Sequence, residues 1–192
     1  MEKPVRPLSD WGWTEKWEDA YRSLAVEGCL PGRVVSEHKS LYRVVTEQGE
    51  LLSEVAGRMR FGAIGRDDYP AVGDWVAVQP FEGADADRPG RGRIHAVLPR
   101  SSKFSRKQAG AATEEQIVAA NVDTVLLVCA LNHDYNLRRL ERYLILAWVS
   151  GANPVIVLTK ADLCEDPAAR ALEVESVAPG VGVIVTSVVS GE

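Results

Sequence analysis

Cysteine is scarce in the 192-residue sequence, and long apolar runs are missing. The three cysteines, Cys29, Cys129 and Cys164, lie far apart. This spacing excludes a local zinc knuckle and a disulfide framework, and it is typical of proteins from a reducing cytoplasm. No apolar run approaches the ~20 residues that a membrane-spanning helix needs, and the first residues lack the hydrophobic core of a signal peptide. We therefore expect a cytoplasmic protein without a membrane partner.

The sequence also lacks a phosphate-binding loop of the G-x-x-x-x-G-K-[S/T] type, because no Gly-Lys dipeptide occurs between Met1 and Glu192. The histidines do not indicate a catalytic or metal site either. His38, His95 and His133 are widely separated and have no acidic or cysteine partners at metal-ligand spacing. The sequence therefore predicts no catalytic residue and no metal ligand.

Acidic residues outnumber basic ones, 27 to 22, and the net charge of −5 argues against a general nucleic-acid-binding protein. The basic residues are, however, concentrated in one stretch. Positions 88 to 107 contain no acidic residue and seven basic ones, which are Arg88, Arg91, Arg93, Arg100, Lys103, Arg106 and Lys107. Such a stretch either lies against an RNA backbone or is a solvated loop whose charges pair with acids elsewhere. We keep these residues as candidate RNA-binding residues, with both interpretations open.

The N-terminal residues from Ser9 to Leu24 have the apolar spacing of a short helix, because Trp13, Trp17 and Tyr21 recur every four residues. This aromatic stripe is either a surface for a partner or a face that packs on its own domain. Aromatic side chains contribute large buried areas to cores, so we favour the second interpretation.

From Gly28 to Leu98 the pattern changes to short strands separated by turns. Five segments are rich in β-branched, aliphatic or aromatic residues, namely Gly32–Ser36, Leu41–Thr46, Leu51–Val55, Trp75–Gln79 and Gly92–Leu98. They fit a small closed barrel of the OB type, although an SH3-like barrel would leave nearly the same pattern. In such a barrel Phe61 and Tyr69 either stack on RNA bases or fill the interior. For Phe61 we favour the interior.

A third pattern begins near Thr113, where Thr113 to Gln116 has the form of a capping box and predicts a short helix. Apolar strands then alternate with amphipathic helices, in the order Val122–Ala130, Leu137–Trp148, Val155–Leu158, Ala168–Val177 and Val181–Thr186. The order βαβαβ predicts a parallel sheet with right-handed crossovers. The continuous apolar character of the first strand predicts that it is central.

A polar motif follows the second of these strands. Thr159, Lys160 and Asp162 form a Thr-Lys-x-Asp loop, and loops at the carboxyl ends of parallel strands bind ligands in open α/β sheets. A carboxylate at Asp162 can accept hydrogen bonds from the N1–H and N2–H₂ groups of guanine, a pair that adenine does not offer. The aliphatic stem of Lys160 can lie across the base. A second loop with Ser187 and Val188 follows the next strand, and its backbone N–H groups can donate to guanine O6. We predict a guanine site from these five residues.

Together these segments resemble the RsgA family (also called YjeQ or EngC) of circularly permuted GTPases. The resemblance rests on residues Trp11–Trp13, Gly28–Val35, Val72–Val76, Lys103–Arg106, Gln116–Asp123, Asn136–Tyr143 and Pro154–Leu163. It implies an N-terminal helical extension over residues 1–27 and an OB-fold barrel that binds RNA and the ribosome over residues 28–100. It further implies a basic linker with a short helix over residues 101–120. Residues 121–192 are then the first part of a P-loop-GTPase-like parallel sheet in which the base-specificity loops precede the P-loop.

The same resemblance implies a function. Family members bind GTP or GDP with Mg²⁺, act late in maturation of the small ribosomal subunit, contact its rRNA and help to release assembly factors. A structural Zn²⁺ is expected only in their C-terminal domain. Because the sequence reaches Glu192 without a P-loop, switches or zinc ligands, we expect the N-terminal portion of a longer, monomeric protein. These residues alone should then not hydrolyse GTP. The alternatives are a non-catalytic OB-fold RNA-binding module and an α/β protein in which the Thr-Lys-x-Asp motif is coincidental.

Overall fold

Two units make up the chain, residues 1–121 and residues 122–192. The computed structural model describes residues 6–82, 89–107 and 115–191. Within those ranges, no helix has the length and hydropathy required to cross a membrane. The first unit is built on a barrel and the second on a parallel sheet.

The barrel of the first unit is closed by five strands in the order β1-β2-β3-β5-β4. The strands are β1 (Leu30–His38), β2 (Leu41–Thr46), β3 (Gly49–Val55), β4 (Trp75–Glu82) and β5 (Gly90–Val97). Strands β3 and β5 are parallel, and the other neighbouring pairs are antiparallel. This arrangement is that of the OB fold, so the OB prediction is confirmed.

The alternation of side chains along each strand fills the barrel. On β5, Ile94 points inward and is buried, whereas Arg91 and Arg93 on either side of Gly92 are exposed. The interior is composed mainly of β-branched residues, which include Val34, Val44, Val76 and Val78. The basic side chains of β5 therefore lie on the outer surface of the barrel.

The N-terminal aromatic stripe packs on its own unit, as favoured from the sequence. Instead of one helix, a short 3-10 helix (Leu8–Trp11) and helix α1 (Glu15–Ser23) form, separated at Gly12. The rings of Trp13 and Trp17 lie 4.7 and 6.3 Å from the ring of Trp75, which is fully buried. The N-terminal residues thus complete a small aromatic core at the surface of the barrel.

Phe61 does not fill the barrel, and the expectation that it does is wrong. It lies on helix α2 (Gly57–Gly62) in the connection between β3 and β4, and it is 97% exposed. Nearby Ile64 is 100% exposed. Tyr69, in contrast, packs against the barrel core. The interior is already filled by residues of the strands themselves, so the connection contributes little to it.

A β-hairpin replaces the short helix that was predicted near Thr113. Strand β6 (Lys103–Lys107) pairs antiparallel with strand β7 (Glu115–Ala120). The helix prediction is therefore wrong for the residues from Glu115 onward. Ile117 and Ala120 of β7 are buried with Ala71, and this tertiary packing outweighs the local capping-box pattern.

Asn121 connects the hairpin to the barrel by hydrogen bonds. Its side chain is buried, with Oδ1 accepting from the Ser101 N–H (2.8 Å) and Nδ2 donating to the Gly73 carbonyl (3.1 Å). Its carbonyl accepts from Arg33 Nη2 at 3.0 Å. The residue has a φ of 54°, a left-handed conformation that asparagine tolerates better than most residues.

Asn121→Ala is expected to lower the free energy of unfolding of the first unit by about 2–3 kcal/mol. The substitution removes two hydrogen bonds of a buried side chain, to the Ser101 N–H and the Gly73 carbonyl, and alanine disfavours the left-handed conformation. Urea unfolding followed by tryptophan fluorescence reports on this unit, which contains four of the five tryptophans. Gln48→Ala, which removes an exposed amide of the same unit, is the control. Equal unfolding midpoints for the two variants would contradict the prediction.

The second unit is a three-stranded parallel sheet in the order β10-β9-β8. Its elements are β8 (Thr124–Ala130), α3 (Leu137–Ser150), β9 (Asn153–Thr159), α4 (Pro167–Val177) and β10 (Gly182–Val185). The Asn136 side chain caps α3 and the Asp166 side chain caps α4, each by accepting a backbone N–H. The predicted βαβαβ unit is confirmed, and it brings the carboxyl ends of the strands to one edge.

Strand β9 rather than β8 is central in this sheet, so the central position predicted for β8 is not observed. Helices α3 and α4 cover one face, where Leu127 and Cys129 are buried. On the other face Leu126 and Val128 remain 59% and 60% exposed. The apolar run reflects apolar residues on both faces of β8, but the described residues bury only one of these faces.

Candidate functional site

Two loops meet at the carboxyl edge of the parallel sheet. Backbone hydrogen bonds join them, since Thr186 N–H donates to the Leu158 carbonyl (2.9 Å) and Ala161 N–H donates to the Thr186 carbonyl (3.3 Å). The Leu131 N–H after β8 donates to the Thr159 carbonyl at 2.8 Å. The ends of β8, β9 and β10 are thereby held in a fixed relation, and the side chains that follow β9 and β10 face a common space.

A side-chain hydrogen bond connects the two predicted motifs directly. Ser187 Oγ donates to Asp162 Oδ1 at 2.5 Å, although the two residues are 25 positions apart. Ser187 is 1% exposed, whereas Asp162 is exposed. The buried serine therefore fixes one carboxylate oxygen and leaves the carboxylate itself directed to solvent, where a ligand can reach it.

The Ser187 loop is a tight turn built around the same hydroxyl. Ser190 N–H donates to Ser187 Oγ (3.3 Å), and Gly191 N–H donates to the Ser187 carbonyl (3.0 Å). Val188 is 97% exposed. Among the described residues no acceptor takes the Val188 N–H, so this donor is available to a ligand beside Asp162.

Lys160 has a backbone conformation that is unusual for a residue with a side chain. Its φ and ψ are 58° and 43°, in the left-handed region, and it precedes a 3-10 turn over Ala161–Leu163. Leu163 N–H donates to the Lys160 carbonyl at 3.0 Å and closes this turn. Left-handed non-glycine residues cost free energy and are concentrated at ligand-binding sites. The turn places the exposed Lys160 and Asp162 side chains on the same loop.

A third loop at this edge was not predicted from the sequence. Asp134, after β8, forms an ion pair with Arg139 (Oδ2 to Nη2, 3.2 Å). The Arg139 hydrogen bond and charge hold the pKa of Asp134 below its usual range, and the positive charge of Lys160 acts in the same direction. This loop is joined to the Lys160 loop by the hydrogen bond from the Leu131 N–H to the Thr159 carbonyl. The available signal was that this loop, too, follows the carboxyl end of a parallel strand.

The candidate RNA-binding residues lie in different environments. Arg91 and Arg93 are exposed on the outer face of β5, and Arg93 lies 5.7 Å from the centre of the Phe81 ring. Lys103 is exposed at the start of β6, and Arg106 and Lys107 belong to the same strand. Arg88 lies outside the described residues.

Arg100 differs from these residues because its guanidinium group is used within the barrel unit. Nε and Nη2 donate to the two carboxylate oxygens of buried Asp74 at 2.9 and 2.7 Å. Nη1 donates to the Asp67 carbonyl and Nη2 donates to the Tyr69 carbonyl. This bidentate pair with two carbonyl contacts gives Arg100 a structural role, and we leave it out of the proposed RNA surface.

Metal ligands are not gathered anywhere in the described ranges, since no three His, Cys, Asp or Glu side chains there are placed to hold an ion. The candidate site is therefore an arrangement of one carboxylate, one hydroxyl, one ammonium group and exposed backbone N–H groups. Such a set recognises a planar polar molecule by hydrogen bonds along its edge.

Comparisons with known proteins give a consistent picture. The family model described as RsgA GTPase matches residues 97–192. The protein named small ribosomal subunit biogenesis GTPase RsgA from Opitutus terrae is 42% identical over 188 residues, which are 96% of this chain and 51% of that protein. The chain spans about half the length of the curated relatives it matches.

Two solved structures have a similar fold. YjeQ from Thermotoga maritima matches with a TM-score of 0.64 and 27% identity, over 85% of this chain and 53% of its own. YloQ, described as a circularly permuted GTPase, matches with a TM-score of 0.61 and 23% identity, over 84% of this chain and 52% of its own. The second likeness concerns the fold alone.

Proposed function

The chain belongs to the RsgA GTPase family, and from this membership we propose that it carries the guanine-selecting half of a GTP site and docks on RNA of the small ribosomal subunit. The whole protein would act late in maturation of that subunit and help to release assembly factors. One observation carries the guanine assignment: the Ser187–Asp162 hydrogen bond, which joins two loops that guanine would contact together.

The proposed site recognises guanine by its donor edge. The Asp162 carboxylate accepts from N1–H and N2–H₂, and Ser187 holds that carboxylate in place. The stem of Lys160 covers one face of the base, Thr159 anchors the loop through its carbonyl contact with Leu131, and the Val188 N–H donates to O6. Adenine has an acceptor at N1 and no donor at C2, so it would leave the Asp162 carboxylate unpaired, at a cost of a few kcal/mol.

These residues fit the base of GTP or GDP but not its phosphates or Mg²⁺. Residues 1–192 contain no Gly-Lys dipeptide, and within the described ranges no acidic cluster could hold an ion. Phosphoryl transfer depends on a phosphate cradle and metal ligands, so we propose that these residues alone do not hydrolyse GTP. The bound nucleotide would supply the transferable phosphoryl group. This chain would orient the nucleotide through its base. The structural zinc ion that the resemblance implies would require ligands outside these residues.

The barrel unit is the proposed RNA-docking part, because OB barrels present an outer face and loops to RNA. Arg91, Arg93 and Lys103 expose positive charge there, and Arg106 and Lys107 lie on the same hairpin strand as Lys103. We further propose that the protein is monomeric and cytoplasmic, and that its parts are the extension 1–27, the barrel 28–100, the hairpin connector 101–120 and the GTPase part 121–192. The outward arginines also suit a second candidate function, an RNA-binding module without nucleotide.

Titration of the isotopically labelled chain with guanosine, followed by amide chemical shifts, tests the base site. We expect shift changes confined to residues 159–163 and 186–191, and none with adenosine. Weak binding is acceptable in this measurement, because base contacts act without the phosphates. Equal responses to guanosine and adenosine, or none to guanosine, would favour the RNA-binding module.

Ser187→Ala is expected to weaken guanosine binding about tenfold. The substitution removes the hydroxyl that fixes Asp162, and a hydrogen bond to a charged group is worth about 1.5–3 kcal/mol. Ser190→Ala is the matched control, because Ser190 lies in the same turn and contributes only its backbone N–H to the network. If both variants bind guanosine like the wild type, Ser187 does not position the carboxylate.

A further inference from the structure

Two large apolar side chains project into solvent between three arginines in the connection from β3 to β4. Phe61 is 97% exposed and Ile64 is 100% exposed. Arg58, Arg60 and Arg66 are also exposed, and among the described residues none of them forms an ion pair. No acidic residue occurs from position 55 to position 66. We call residues 58–66 the arginine segment.

The arginine segment is held in its exposed conformation. Asp68 Oδ2 accepts from the Ile64 N–H (2.8 Å) and the Gly65 N–H (3.2 Å). These two backbone hydrogen bonds lower the pKa of Asp68, the Ile64 bond most strongly. The Arg100 guanidinium group donates to the Asp67 carbonyl and ties the end of the segment to the barrel. Phe61 and Ile64 therefore lie on a segment whose conformation is fixed by hydrogen bonds.

A cleft of about 530 Å³ adjoins the arginine segment. Arg60 and Arg66 line it together with the aromatic residues Tyr42 and Tyr69, and Glu37 is the acidic residue of its lining. Tyr42 is buried in the barrel core and Tyr69 packs against it. The two guanidinium groups are therefore the features of the cleft that suit an RNA phosphate.

We propose that the arginine segment is an RNA-contacting element, in which Phe61 stacks on an unpaired base and Arg58, Arg60 and Arg66 contact phosphates. Sequence-specific RNA recognition relies on such splayed bases stacked on aromatic side chains. A lipid surface fits less well, because helix α2 has six residues and interfacial helices need a long apolar face. The identification of the RNA as small-subunit RNA rests on the proposed function. The proposed contact with RNA does not.

Fluorescence anisotropy with single-stranded oligouridine, an RNA duplex and vesicles of phosphatidylcholine and phosphatidylserine tests this proposal on the 192-residue chain. Phe61→Ala should weaken oligouridine binding about tenfold and affect the duplex little. Tyr143→Ala is the control, because Tyr143 is an exposed aromatic residue on helix α3 of the second unit. It should bind like the wild type.

A salt series tests the arginines. The double variant of Arg58→Gln and Arg60→Gln should reduce the slope of log K against log salt by about 0.7 for each lost phosphate contact. The pair Arg91→Gln and Arg93→Gln is the comparison, because it tests the docking surface of the proposed function. The pair Arg138→Gln and Arg142→Gln, exposed on helix α3 in the second unit, is the control and should leave the slope unchanged. Unchanged thermal unfolding would show that each exposed substitution leaves the fold intact.

The outcomes separate this inference from the proposed function. Wild-type RNA binding that survives Phe61→Ala and the Arg58/Arg60 variant but is lost in the Arg91/Arg93 variant overturns the inference alone. Vesicle binding that depends on Phe61, without an effect on RNA, also overturns it in favour of a membrane surface. Failure of the wild type to bind any RNA removes both the inference and the proposed RNA docking. The guanosine titration is independent of all three results.

Discussion

Asp162→Asn is expected to change the base preference of the chain from guanine to xanthine. The carboxylate of Asp162 offers two acceptors, of which Oδ1 already takes the Ser187 hydroxyl. An asparagine that keeps this bond must direct its Oδ1 to Ser187 and to base N1–H, and its Nδ2 toward the substituent at C2. The amide then meets a donor in guanine and an acceptor in xanthine.

The expected change in the ratio of guanosine to xanthosine affinity is about hundredfold. The bond lost with guanosine is to a charged acceptor and is worth about 1.5–3 kcal/mol, and the neutral bond gained with xanthosine is worth about 0.5–1.5 kcal/mol. The measurement is the same amide-shift titration, carried out with both nucleosides. Asp166→Asn is the matched control, because it makes the same chemical change four residues away and asparagine caps α4 as well as aspartate does.

Two results would contradict the guanine assignment. One is an unchanged preference in Asp162→Asn, which would make the Thr-Lys-x-Asp motif coincidental. The other is an equal change in Asp166→Asn, which would show that the loop responds to lost charge in general. The Ser187 bond makes a clear answer possible, because it restricts which way the asparagine amide can face.

The parts of the site that the sequence predicted are those with a local signal. An apolar strand followed by polar residues places Thr159 to Asp162 at the end of β9, and the same pattern places Ser187 after β10. Their contact across 25 positions then follows from the parallel arrangement of the two strands. The left-handed conformation of Lys160 has no such signal, because it depends on the tertiary contacts that close the turn.

Predictions failed where distant residues decide the structure. The capping-box pattern at Thr113 to Gln116 is local, whereas the burial of Ile117 in the hairpin depends on Ala71. For Arg100 the sequence left open whether it contacts RNA or pairs with an acid, because its partner Asp74 is 26 positions away. Phe61 was expected inside because aromatic residues usually are, and its exposure depends on how completely the strands fill the barrel. For each of these residues, the contacts that decide its structure come from residues far away in the sequence, so no local pattern predicts them.

The contacts of the segment Val72 to Val76 show that this motif has a structural role. Asp74 is the buried anchor of Arg100, and Trp75 is the centre of the aromatic core. Gly73 donates its N–H to the Val34 carbonyl at 2.8 Å and accepts from Asn121 Nδ2 at 3.1 Å. Three consecutive residues thus connect the barrel, the N-terminal extension and the hairpin.

Gly73→Ala is accordingly expected to destabilise the first unit by about 2–5 kcal/mol. Its φ of +91° costs a residue with a Cβ about 1–2 kcal/mol, and crowding in a packed interior adds about 1–3 kcal/mol. An added Cβ would lie 2.1 Å from the Ala120 carbonyl oxygen, which is backbone and cannot rotate away. Rotation of residue 73 itself would break its bonds to Val34 and Asn121.

Two glycine controls separate the causes. Gly180→Ala has a φ of +79° but no atom within 4 Å of the new Cβ, so it measures backbone strain alone, in the second unit. Gly57→Ala has neither a positive φ nor a neighbour within 4 Å, and it should not lower stability. Urea unfolding of the three variants should therefore place Gly73→Ala lowest by a clear margin. If Gly73→Ala loses no more than Gly180→Ala, the hairpin does not press on Gly73, and its attachment to the barrel must rest on Asn121 and on the packing of Ile117 and Ala120 against Ala71.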